Sequence, residues 1–277
     1  MTVPYAEVIG DPIAHSKSPL IHRFWLAKLG VEGEYRAHRV AAGELAEYFA
    51  ARRSDPSWRG CNVTVPHKQA VEPYLDRLSD LAADVGAVNL VWYGGKRLIG
   101  GNSDVDGIRY ALPATGTGEL QTACLIGSGG AALAALAAFR LLGIGEVRLN
   151  VRNREKGEDL LRRFRLEGRV GAVDDRDNLA SAQLIVNASV LGMEGQAPMP
   201  ETVLSQIAAR KDDGAIVFDM VYAPLETELL KTADARGLRT VDGLRMLVAQ
   251  AASAFEAFYG APAPRQHDAE LRTLLTS

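Results

Sequence analysis

The chain has 277 residues, 47% of them hydrophobic and 23% charged, with a formal net charge of -3 at pH 7. That is ordinary for a soluble globular protein of one large or two modest domains. It provides no general basic field for nucleic acid or anionic lipid, so neither partner is expected. Cys61 and Cys124 both lie in apolar, strand-like runs and read as reduced core residues, not as a disulfide framework or a metal site. The first residues, Met1 to Glu7, lack a basic region followed by an apolar signal core. The longest apolar stretch, Ala131 to Ala138 with its neighbours, is alanine-rich, interrupted by Arg140 and too short to span a bilayer. A cytoplasmic location is the expectation.

Tyr5 to Ile9 reads as a first strand ending at Gly10-Asp11-Pro12. After the loop Ile13 to Ser18, Pro19 suits the first turn of a helix to Leu29, with Leu20, Ile21, Phe24, Trp25 and Leu29 as its apolar face. A strand over Glu34–Val40 and a helix near Gly43–Arg52 follow. Cys61 to Val65 is a short buried strand stopped by Pro66, which cannot donate to a sheet ladder. Lys68 to Leu81 has helical character despite Pro73, Gly86 to Tyr93 reads as a strand, and Gly94-Gly95 signals a hairpin with Arg97–Gly101 returning antiparallel. The first hundred residues thus form an α/β unit with mixed strand directions.

A helix ending at Ile108–Leu112 and a polar link over 113–118 lead to a second pattern. Strands at 123–126, 147–151, 184–187, 215–219 and 239–241 alternate with helices, notably over 155–165 and 225–236, which argues a parallel, doubly wound sheet. The last segments, Leu244 to Tyr259 and Asp268 to Leu275, read as two helices that need a surface to cover, and the first α/β unit is a candidate. Gly127-Ser128-Gly129-Gly130-Ala131-Ala132 stands between the 123–126 strand and a helix, the context of a dinucleotide fingerprint. Gly127 makes the turn, Gly129 admits a pyrophosphate to the backbone and Ala132 is the small third position. The next strand ends at Arg152-Asn153-Arg154 with no acid at its tip, so Arg154 favours a 2′-phosphate and NADP; Glu155 and Glu158 stand close by and keep NAD possible.

Lys68 directly follows Asn62-Val63-Thr64-Val65-Pro66-His67, at the carboxyl end of a strand, where open α/β sheets bind ligands. With Gly10-Asp11-Pro12-Ile13, His15 to Pro19, Gly86-Ala87-Val88-Asn89, Asn102-Ser103-Asp104, the Gly127 loop, Asn153-Arg154, Asn187-Ala188-Ser189, Gly192-Met193 and Asp242 to Ala252, this ordered set resembles the shikimate dehydrogenase (shikimate/quinate dehydrogenase) family along essentially the whole chain.

The resemblance implies an N-terminal α/β substrate domain with a mixed sheet (residues 1–104 plus 243–277), a Rossmann-type doubly wound NADP-binding domain (105–242), C-terminal helices packing back on the first domain, and an active site between the two. It implies reversible reduction of 3-dehydroshikimate to shikimate with NADPH. Lys68 and Asp104 would be the catalytic pair, with Ser16 and Ser18 on the substrate carboxylate and Thr64, Asn89 and Gln250 on ring hydroxyls. Tyr222 would line the same pocket. Gly127, Ser128, Gly129, Gly130, Ala131, Asn153, Arg154 and Gly243 would bind cofactor. A ketone taking up hydride gains charge on oxygen, which a nearby ammonium stabilises and protonates. A monomer or homodimer is expected, and no metal. His15, His22 and His67 read as loop or surface residues, and Asp104 has the alternative of capping the helix after it. The rival readings are an NAD-accepting quinate/shikimate dehydrogenase and a non-catalytic nucleotide-sensing relative.

Overall fold

The computed structural model describes residues 3–112, 120–211 and 214–277. The chain divides into two units, Met1–Asp106 with Leu247–Ser277, and Gly107–Met246. The polar link expected over 113–118 lies outside the described residues.

The first unit begins β1 (Tyr5–Gly10), α1 (Ser18–Leu29), β2 (Glu34–Arg39), α2 (Leu45–Arg53) and β3 (Trp58–Val63). It continues β4 (Arg77–Leu78), α3 (Asp80–Val85), β5 (Leu90–Gly94), β6 (Arg97–Gly101) and α4 (Asp104–Ala111). The sheet order is β2-β1-β3-β5-β6-β4. β1 runs parallel to β2 and β3, whereas β5 is antiparallel to both β3 and β6, so strand directions are mixed. The hairpin expected at Gly94-Gly95 forms with Gly94 paired to Arg97, which places the turn at Gly95-Lys96.

Three local expectations are corrected. Residues 68–79 are not an α-helix: after turns and a 3₁₀ turn at Glu72–Tyr74 the chain joins the sheet as β4, and α3 begins only at Asp80. Asp76 secures this by donating its N–H to Leu98 O at 2.9 Å and accepting the Leu98 N–H on its carboxylate at 2.7 Å. Pairing with β6 outweighs a helical pattern already weakened by Pro73. The strand expected over Gly86–Tyr93 starts only at Leu90, because Gly86 ends α3 in the left-handed conformation. Helix α1 is also rotated: Leu20 and Leu29 are exposed, and His22 and Leu26 are buried instead.

The second unit contains β7 (Thr122–Ile126), α5 (Gly130–Leu141), β8 (Glu146–Asn150), α6 (Arg154–Phe164), β9 (Gly168–Gly171) and α7 (Arg176–Ala180). β10 (Leu184–Asn187), α8 (Glu201–Ala209), β11 (Ile216–Asp219), α9 (Glu228–Asp234) and β12 (Arg239–Val241) follow. Every pairing is parallel, in the order β9-β8-β7-β10-β11-β12. That is the doubly wound dinucleotide-binding order, with the switch point between β7 and β10. The central strands are buried along their length, as expected with helices on both faces. β9, α7 and α8 carry too weak a periodicity to be read from sequence.

The final helices are α10 (Gly243–Tyr259) and α11 (Asp268–Thr276). α10 covers the first unit's sheet as expected, and α11 packs on α1. Phe258 and Ala254 join Ala6, Val8, Tyr35 and Leu90 in one apolar cluster. Tyr259 Oη donates to Glu34 O at 2.7 Å, and the α11 carboxylate of Glu270 meets Lys28 Nζ of α1 at 2.7 Å. The opposite face of that sheet holds a second cluster around Ile9, Phe49, Trp58, Val91 and Leu98.

Candidate active site

Strand direction decides where the first unit's functional side chains gather. β1 and β3 are parallel neighbours, so the loops leaving their carboxyl ends emerge at one sheet edge. β5 is antiparallel to β3, so the residue that enters it, Asn89, lies at that same edge, and so does the segment leaving β6. Backbone hydrogen bonds stitch these loops together. Thr64 N–H donates to Ile9 O at 2.9 Å, Asp11 N–H to Val65 O at 3.1 Å, Val63 N–H to Asn89 O at 2.9 Å and Val88 N–H to Lys68 O at 2.6 Å. Pro66 follows a cis peptide bond in the turn that carries Lys68.

Lys68 Nζ donates to Asp104 Oδ2 at 2.6 Å, with side-chain exposures of 15% and 6%. A charge-assisted contact of that length between two largely buried groups is well oriented and strong. Asp104 does not cap α4. Asn102 does, its Oδ1 accepting the N–H groups of Asp104 at 3.0 Å and Val105 at 3.3 Å, while its Nδ2 donates to Ala87 O at 2.9 Å. This frees the Asp104 carboxylate for the lysine, and the helix N-terminus favours its charge.

Asn89 and Gln250 are both buried and meet through Ser103, whose N–H donates to Asn89 Oδ1 at 2.7 Å. In the sequence only its place between Asn102 and Asp104 signals Ser103. Thr64 is half-buried and directly follows Val63, whose N–H donates to Asn89 O. Ser16 Oγ accepts the Ser18 N–H at 3.3 Å, and Ser18 is buried at the start of α1, whose N-cap is Lys17. Ser16 Oγ thus takes up the N–H of the first residue of α1, as Asn102 does for α4.

Two of the histidines expected at the surface are in the interior: His22 and His67 have no exposed area, whereas His15 is exposed. His67 Nε2 lies 2.7 Å from Val40 O, and since a carbonyl only accepts, this nitrogen carries the proton. A groove of about 490 Å³ near Arg53, Asp55, Arg59 and Lys96 contains none of the expected site residues. It lies where the chain enters β3 and turns between β5 and β6, the other edge of the sheet.

In the second unit the nucleotide loop leaves β7 at the switch point. Gly127 has φ +119°, and a Cβ there would lie 3.0 Å from Ala188 O, so both conformation and space call for glycine. Gly129 is different: its φ of -88° suits any residue and a Cβ there would meet nothing within 4 Å. The missing side chain leaves open the space in front of α5, whose N-cap offers no acceptor of its own to the helix's first N–H groups. An open helix start of this kind suits an anionic group, and Ala132 is fully buried behind it.

Asn153 caps α6, its Oδ1 accepting the Lys156 N–H at 3.0 Å. Arg154 is exposed and donates through Nε to Glu158 Oε1 at 2.9 Å. Tyr222 follows β11, and burial raises its phenol pKa, so it stays protonated. Gly243 starts α10 in direct contact with backbone: a Cβ would lie 2.4 Å from Met220 O and 2.7 Å from Val221 O. That segment is held by Asp219, which sequence reasoning missed. Its carboxylate accepts from Val221 N and Asn187 Nδ2 on Oδ1 and from the Thr227 hydroxyl on Oδ2. Burial raises its pKa to about 6.

Comparison with known proteins gives the same assignment along the whole chain. Residues 8–91 match the shikimate dehydrogenase substrate binding domain. A Sphingopyxis alaskensis protein named shikimate dehydrogenase (NADP(+)) is 50% identical over 275 residues, 99% of this chain and 97% of its own. The chain belongs to the shikimate dehydrogenase family. Among solved members, the Thermus thermophilus enzyme in complex with NADP(H) and shikimate is 32% identical with a TM-score of 0.85, covering 98% of this chain and 99% of its own. The Listeria monocytogenes family member in complex with shikimate and NAD is 30% identical with a TM-score of 0.85, covering 99% and 96%. Among the described residues of this family member no helix is long and apolar enough to cross a membrane.

Proposed function

We propose that the protein is an NADP-dependent shikimate dehydrogenase, an oxidoreductase that reversibly reduces 3-dehydroshikimate to shikimate on the route to aromatic amino acids. The observation that carries this reading is the largely buried Lys68–Asp104 pair, with Ser103, next to Asp104, joining the Asn89 and Gln250 amides, in a chain half identical to a protein of that name. NADPH, when bound, supplies the hydride. Lys68 donates a proton to the carbonyl oxygen as charge builds there, and takes it back in the reverse direction. Asp104 holds the ammonium in place. Ser16 and Ser18 take the substrate carboxylate, and Thr64, Asn89 and Gln250 take ring hydroxyls. From the second unit, Tyr222 is assigned to substrate. The Gly127 loop, Asn153 and Arg154 are assigned to the nucleotide, and Gly243 to the nicotinamide end. The substrate domain is then residues 1–104 with 243–277 and the nucleotide domain 105–242. A cytoplasmic setting and a monomeric or homodimeric state belong to the same reading.

One observation favours a second reading, an NAD-accepting quinate/shikimate dehydrogenase: the arginine expected to bind a 2′-phosphate already holds Glu158. Steady-state rates with shikimate and with quinate, each with NADP and with NAD, decide between the two. Fastest turnover of shikimate with NADP is expected. A higher kcat/KM for quinate with NAD would overturn the first reading, and absence of all four activities would return the chain to a nucleotide-sensing role.

A further inference from the structure

We propose that Ser103 is a positioning residue that locks the Asn89 and Gln250 amides with their N–H groups toward the substrate, so that this part of the site recognises ligand oxygens as hydrogen-bond acceptors. The inference deepens the shikimate reading above and rests on it.

An amide side chain can face two ways, and its orientation must come from its partners. Two backbone groups settle both amides here. Ser103 N–H can only donate, so the Asn89 atom 2.7 Å away is the oxygen, Oδ1. Leu247 O can only accept, so the Gln250 atom 3.0 Å away is the nitrogen, Nε2. Gln250 Oε1 then faces the Ser103 hydroxyl at 3.2 Å, and Asn89 Nδ2 approaches the same hydroxyl oxygen at 3.1 Å.

A hydroxyl has one proton. With Asn89 Oδ1 already served by the Ser103 N–H, the arrangement that satisfies every atom runs Asn89 Nδ2 to Ser103 Oγ to Gln250 Oε1. Both amide oxygens are consumed within the protein. Each amide nitrogen has spent one hydrogen, and among the described residues the second hydrogen of each has no acceptor. Ser103 itself is only 2% exposed, so water does not readily take its place. Asn89 is further fixed through its backbone, whose carbonyl accepts from Val63 N–H and from Asn62 Nδ2 at 3.2 Å. Two donors and no acceptors therefore remain to meet a polyhydroxylated ring. Losing the hydroxyl leaves Gln250 Oε1 buried without a donor, and the amide is then free to turn over.

The test uses the full-length protein with Ser103→Ala and Ser103→Thr, assayed against shikimate and a set of shikimate analogues each lacking one ring hydroxyl. Ser103→Ala should raise KM for shikimate about tenfold, the loss of roughly one hydrogen bond's worth of orientation, with KM for NADP unchanged. The penalty should vanish for the analogue that lacks the hydroxyl met by these amides. Ser103→Thr, which keeps the hydroxyl, should recover most of the parent's KM. Thermal unfolding of both variants identifies any loss of fold. An unchanged KM in folded Ser103→Ala, or an equal penalty for shikimate and every analogue, would overturn the proposal. A parent that does not turn over shikimate at all would instead remove the functional reading, and this inference with it.

Discussion

Replacing His22 by phenylalanine should change how the first unit's stability depends on pH. His22 has no exposed area, stacks on Tyr35 at 3.9 Å between centroids and 6° between planes, and meets the edge of Trp25 at 5.8 Å. Among the described residues neither ring nitrogen has a hydrogen-bond partner. Burial therefore lowers its pKa from 6.5 to about 3, and the folded chain keeps a neutral imidazole. The unfolded chain takes up a proton below pH 6.5, so this contribution to stability is complete above that pH and is lost progressively toward pH 3. Each pH unit in that window costs about 1.4 kcal/mol, so at pH 5 the loss relative to pH 7.5 is about 2 kcal/mol.

Phenylalanine keeps a ring on Tyr35 and removes both nitrogens. Its effect on packing is independent of pH and cancels when the two proteins are compared across pH. The urea unfolding free energy of His22→Phe minus that of the parent should thus rise by about 2 kcal/mol between pH 7.5 and pH 5. All three tryptophans, Trp25, Trp58 and Trp92, belong to the first unit, so intrinsic fluorescence follows that unit's unfolding. Parallel pH curves for the two proteins would refute the reasoning, because they would mean that His22 titrates alike folded and unfolded.

Lys68→Ala should lower kcat by about 10² to 10⁴-fold while shikimate still binds in an equilibrium titration; undiminished turnover takes Lys68 out of the proton transfer. Glu158→Gln should release Arg154 and lower KM for NADP several-fold at low salt while leaving KM for NAD in place, since only NADP carries the 2′-phosphate. An equal change for both cofactors, or one indifferent to ionic strength, counts against a phosphate contact at Arg154. Gly243→Ala should destabilise the second unit by about 1–3 kcal/mol, because the new methyl would be forced against the Met220 and Val221 carbonyls. Thermal unfolding at the parent's Tm would show that the α10 start yields without cost.

The sequence by itself settled the class and the parts list. Alternating β and α signals with continuous apolar strands specify a parallel, doubly wound sheet. A glycine-rich turn between a strand and a helix is enough to locate the nucleotide loop, because these properties are local. Lys68, Asp104, Asn89 and Gln250 were picked out through the motifs that carry the family resemblance, not through periodicity or spacing. Tertiary structure decided what depends on partners distant in the chain. It made β4 a strand, through Asp76 and Leu98, where the local pattern read as helix. It turned α1 so that His22 is buried against Phe255 and Phe258 of α10, since which face of a helix meets the core depends on what packs there. It gave the capping of α4 to Asn102, leaving Asp104 for Lys68 across 36 residues of sequence. It brought Ser103 between two amides, one 147 residues away. Spacing along the chain shows which side chains are present, and only strand direction and hydrogen-bond donors fixed in space decide which of their atoms are left to meet a substrate.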